Sequence, residues 1–115
     1  MSDVNKINND LLGLTKKLAE SSNEYQDLLL DAVMKRNDYD VAKAKAFLKA
    51  EGKNVEEKKA IALLACETEM REARIAEAML EGMKARLRAL ADSLSATQTR
   101  ASNMKQEMKL AGQFD

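Results

Sequence analysis

The chain has 115 residues and balances 19 Lys+Arg against 19 Asp+Glu, so net charge singles out no partner. It has no His, Pro or Trp, one Cys, and only two Tyr and two Phe. These counts exclude a β-sandwich or barrel, which draws on β-branched and aromatic residues and Gly/Pro turns, and most catalytic and zinc chemistry, whose commonest base and ligand is His.

What remains is rich in Ala, Leu, Met, Lys and Glu, the residues that lose least on entering a helix. The fold class expected is all-α: an elongated, oligomeric helical protein forming a single domain over residues 1–115, with a long coiled-coil-like C-terminal helix. The start, Met1-Ser2-Asp3-Val4-Asn5, is polar and acidic, so no signal peptide is expected. The longest apolar run, Ala60 to Cys66, is far short of the roughly 20 residues of a membrane span. A lone cysteine suits a reducing compartment. A soluble, cytoplasmic protein is expected.

Taken in chain order, the first helix is predicted over about 3–36. Val4, Ile7, Leu11, Leu14, Leu18, Ser21, Tyr25, Leu28 and Ala32 follow one another at alternating threes and fours, the coiled-coil period. Asn37-Asp38-Tyr39-Asp40 reads as a break, because Asn and Asp side chains compete for backbone hydrogen bonds. A short helix over about 40–51 follows, with Val41, Ala44 and Leu48 as its apolar stripe. Gly52 ends it, and Asn54 with Glu57 forms a capping-box pattern opening the next helix.

That third helix is predicted to run from 55 to about 111, stopped by Gly112. Its seam begins with small residues at Ala62, Cys66, Ala73 and Ala76, interrupted by Glu69. It continues through Leu80, Met83, Leu87, Leu90, Leu94, Thr97, Ala101, Met104 and Met108. Cys66 reads as a small buried seam residue rather than a nucleophile. At about 85 Å, such a helix exceeds what a 34-residue first helix covers. Leu80, Met83, Leu87, Leu90, Leu94, Met104 and Met108 are therefore assigned to a homo-oligomer interface, the alternative being a monomer whose long helix breaks near Gly82 or Ser93–Ser95 and folds back.

Charge alternates in blocks. Residues 1–34 and 54–83 are net acidic, whereas 35–53 and 84–115 are net basic. Such blocks suit antiparallel packing or contact between subunits. The 35–53 block concentrates Lys43, Lys45, Lys49 and Lys53 beside Tyr39 and Phe47. Cations that follow phosphates, with aromatic faces for bases, are what single-strand binding without sequence preference requires. A second basic surface, with Lys84, Arg86, Arg88, Arg100, Lys105 and Lys109, lies in the last third and suits phosphate, protein or solvent alike. No glycine-rich phosphate loop is present, and no cofactor, metal or enzymatic activity is expected.

The segment Lys43-Ala44-Lys45-Ala46-Phe47-Leu48-Lys49-Ala50-Glu51-Gly52-Lys53 resembles the short basic-plus-aromatic segment of UvsY-type phage recombination mediators. The likeness covers roughly residues 39–53 and the helical order around them. It implies an oligomeric, all-helical protein of the host-cell cytoplasm that binds single-stranded DNA in recombination and repair. It also implies loading of a RecA-like recombinase and contact with the single-strand-binding protein. By that resemblance Lys43 and Lys45 contact phosphate; Lys49, Lys53, Tyr39 and Phe47 are added from charge and stacking. The alternative is a coiled-coil structural or adaptor protein, in phage assembly or host-protein binding, with no nucleic-acid role.

Overall fold

The computed structural model describes residues 2–114. It is all-α: helix α1 spans Ser2–Lys49, α2 Val55–Ala65 and α3 Glu67–Phe114. The chain divides into two compact units, one of residues 2–24 with 83–114 and one of residues 25–82.

The boundaries correct the expected helices of about 3–36, 40–51 and 55–111. The break at Asn37-Asp38-Tyr39-Asp40 does not occur, and α1 runs through it without interruption. Two interactions hold the helix there. Tyr39 is buried against Cys66 and Ala73, and Arg36 pairs with Asp40 one turn on at 3.5 Å. Burial of a large side chain outweighs a few tenths of a kcal/mol of weak propensity per residue.

The expected 55–111 helix is interrupted once, at Cys66, where φ is −110° and ψ 21°. The Cys66 N–H is shared between the carbonyls of Ala62 and Leu63, both at 3.2 Å. Its own carbonyl accepts from Met70 N at 2.9 Å, so α3 restarts at once. No Gly or Pro marks the site. At the far end Gly112 does not stop α3, which continues to Phe114; Asp115 lies outside the described residues.

These shifts change how the apolar stripes are covered. α1 and α3 are each 48 residues long, and each unit brings together a stretch of α1 and a stretch of α3. In the unit of residues 25–82 the helices run antiparallel. Ala32 packs with Ala76 and Leu80, joined by Tyr25 and Leu28, and further along Tyr39 packs with Cys66, Ala73 and Met70. In the other unit, Val4, Ile7 and Asn8 share a small cavity with Ala101, Met104 and Met108. Leu11, Leu14 and Leu18 of α1 and Met83, Leu87, Leu90 and Leu94 of α3 are half-buried there.

Of the stripe assigned to a subunit interface, Leu80 is buried within its own chain, and Met83, Leu87, Leu90, Leu94 and Met104 are half-buried in the single chain. Met108 stays half exposed. The Ser/Thr-rich stretch after Leu94 remains helical, and two of its threonine hydroxyls bond back to the preceding turn. Thr97 Oγ1 donates to the Ser93 carbonyl at 2.9 Å and Thr99 Oγ1 to that of Ser95 at 3.1 Å. These i−4 bonds satisfy the hydroxyl that Thr97 buries.

Charge follows the same pairing. Lys35 lies 3.8 Å from Glu72, and Arg36 lies 3.8 Å from Glu77, so the basic 35–53 block meets the acidic 54–83 block within one unit. Such exposed pairs are each worth about 0–1 kcal/mol; their value is in fixing register.

The turn between α1 and α2 is tight. Asn54 is the N-cap of α2, its Oδ1 accepting from Glu57 N at 2.8 Å, as the capping pattern predicts. Gly52 presses on the first turn of α2: a Cβ there would sit 2.9 Å from Lys58 N and 3.3 Å from the Glu57 carbonyl carbon. Backbone cannot swing aside as a side chain can, so Gly52→Ala is expected to cost about 1–3 kcal/mol. Gly82, inside α3 with open space around it, should respond oppositely. Gly82→Ala is expected to add about 0.5–1 kcal/mol by removing backbone entropy from the unfolded chain. Thermal melts of the two variants check both signs.

Candidate nucleic-acid interface

The basic block occupies the last four turns of α1 and the turn after it. At 100° per residue, Tyr39, Ala42 and Ala46 share the face that packs on Cys66, Ala73 and Met70, as the helical repeat requires. This corrects the expected stripe of Val41, Ala44 and Leu48, all three of which are exposed.

Tyr39 is not placed to stack on a base, since only 8% of it is accessible. Two cations attend its ring instead: the Arg36 guanidinium at 5.6 Å from the centroid and Lys43 Nζ at 5.1 Å. Its stacking role is thus replaced by a structural one, an anchor of α1 whose ring also positions Lys43.

The four lysines do not form a single patch. Lys43 lies on the side facing α2, where it lines a groove of about 610 Å³ with Asp40, Phe47, Leu48, Lys59 and Leu63. Lys45 points about 160° away from Lys43. It shares its side with Lys49 one turn on, and Lys53 follows in the turn before α2. Lys45, Lys49 and Lys53 are exposed, whereas Lys35 and Arg36 of the same block are tied to acids of α3. Phe47 is half-buried, with part of its ring on the groove wall.

The site thus has two parts: a row of exposed ammonium groups able to follow phosphates, and an apolar groove with Lys43 and Lys59 at its edge. The groove has no local signature, because it depends on where α2 returns against α1. No helix among the described residues is long and apolar enough to cross a membrane. No protein-family model, curated protein or solved structure matches this chain.

Proposed function

We propose that this chain is a non-enzymatic accessory protein that binds single-stranded DNA and, as its likeness to recombination mediators implies, helps a RecA-like recombinase load where a single-strand-binding protein competes. The observation that carries the reading is the row Lys45, Lys49 and Lys53, exposed and outside the ion pairs that hold Lys35 and Arg36 of the same block. Phosphates attract such a row without regard to sequence. With Tyr39 buried, stacking falls to Phe47 alone, so electrostatics dominates affinity. Several copies acting on one strand turn weak single sites into useful binding.

Anisotropy of a labelled single-stranded oligonucleotide tests this. Three phosphates neutralised per chain correspond to a log–log salt slope of about −2, or about 20-fold weaker binding between about 50 and about 200 mM salt. Lys49→Ala with Lys53→Ala should reduce that slope by about 1.4. No binding by the wild type at low salt would remove the reading.

The adaptor reading draws on a different observation. Leu48 and Leu63 are both exposed on the α1–α2 groove, an apolar surface that a nucleic acid does not need. A stable, DNA-indifferent assembly would favour it.

A further inference from the structure

The face of α1 turned away from α3 carries a second apolar stripe. Leu30, Met34, Val41 and Leu48 are 62%, 57%, 43% and 83% exposed. Asn37 and Ala44, also exposed, complete a run spaced by alternating fours and threes. All six fall in an arc about 80° wide, centred about 170° from the arc of Tyr25, Leu28, Ala32, Tyr39, Ala42 and Ala46. The inner arc is covered by the chain's own α3. The outer one has the period that keeps a seam facing a partner helix, and its six residues are exposed from end to end.

We propose that this outer stripe is a self-association surface on which α1 of a second copy packs in parallel and in register. The stripe is complementary to itself. Met34, Val41 and Leu48 recur every seven residues, as do Leu30, Asn37 and Ala44, so in a parallel pair each layer meets its own copy. Asn37 then meets Asn37, a polar layer of the kind that fixes register. On the flanks, Asp40 of one helix, which also pairs with Arg36 of its own chain, stands where Lys45 of the other follows it, a weak surface pair that leaves Lys45 free to exchange onto phosphate. An antiparallel arrangement would instead set Asp38 and Asp40 against the same acids at the centre of the stripe. The net charge of zero leaves no long-range repulsion between copies. At its C-terminal end the stripe opens onto the α1–α2 groove, which Ala44 and Leu48 also wall, extending the surface onto α2.

This deepens the single-strand reading by giving its multiple copies an interface, and Lys49 and Lys53 remain off the stripe. Sedimentation equilibrium should give the wild type at twice the chain mass, and Leu30→Gln with Met34→Gln at the chain mass with unchanged helical circular dichroism. An Ala44→Cys variant should oxidise to a covalent dimer, since parallel register brings the two copies of residue 44 together. The Gln pair, which removes no charge, should weaken DNA binding by at least about tenfold. A wild type monomeric up to about 100 μM overturns the proposal and leaves the stripe to a helix of another protein. So does a Gln variant that keeps the doubled mass, and a dimer that Ala44→Cys does not cross-link overturns the parallel register. A dimer that behaves as described but ignores DNA supports the interface and defeats the single-strand reading alone.

Discussion

Tyr39→Ala is expected to cost about 3–5 kcal/mol of folding stability, the range for removing a buried aromatic ring, while Tyr39→Phe should stay within about 1 kcal/mol. The ring fills the space between α1 and the start of α3, touching Cys66 and Ala73, with Ala42, Ala46 and Met70 around it. Every other buried residue in that cluster is small, so the cavity left by Ala has little to collapse onto it. Single domains are commonly stable by about 5–15 kcal/mol, so the loss is a large share of the total. Chemical denaturation followed by circular dichroism measures it. The same pair of variants separates an anchor from a base-stacking ring. A stacking Tyr39 would leave the Ala variant folded and its affinity for single strands reduced. A structural Tyr39 gives an unstable Ala variant and a Phe variant that binds as the wild type does.

Much of the fold was legible because it rests on period. The stripe Val4, Ile7, Leu11, Leu14, Leu18 and onward is buried or half-buried along its length. Ala62, Cys66, Ala73 and Ala76, read as a small-residue seam, are all buried. Asn54 caps α2 as its position before Val55-Glu56-Glu57 requires. The alternating charge blocks, which suit antiparallel helices, meet as Lys35–Glu72 and Arg36–Glu77.

What the sequence misplaced depended on three-dimensional context. Asn37-Asp38 has turn chemistry, but Tyr39 beside it is buried only if the helix continues, and that long-range contact has no local signature. The discontinuity at Cys66 lies within the apolar run Ala60–Cys66, where no Gly, Pro or polar cluster announces it. Moving those two boundaries lengthened the first helix and shortened the last. That alone gave the stripe assigned to a second subunit partial cover within its own chain. The outer stripe on α1 was hidden for the same reason: with a break at residue 37, Leu30 and Met34 belong to one helix and Val41 and Leu48 to another. In the basic block, spacing correctly placed Lys45 with Lys49 and set Lys43 apart, whereas burial of Tyr39 depended on α3.

The alanine seam makes the second large prediction. Ala32 and Ala76 are buried together with Leu80, Tyr25 and Leu28 beside them. Small side chains on both helices permit close approach, and the gain comes from the many contacts such an approach allows rather than from the area of either methyl group. A leucine at Ala76 has no free volume to enter, so it must push α1 away or leave its preferred rotamers. Ala76→Leu is therefore expected to destabilise by about 1–3 kcal/mol, although leucine is a strong helix former and more apolar than alanine. Ala78→Leu is the control, two residues along the same helix and exposed, and should stay within about 0.5 kcal/mol of the wild type. Adding Ala32→Leu to Ala76→Leu should cost less than the sum of the two single changes, because the first leucine has already opened the seam for the second. Denaturation midpoints of the four variants decide the point. If Ala76→Leu matches Ala78→Leu, the two helices are not packed through their alanines, and the register set by Lys35–Glu72 and Arg36–Glu77 is wrong as well.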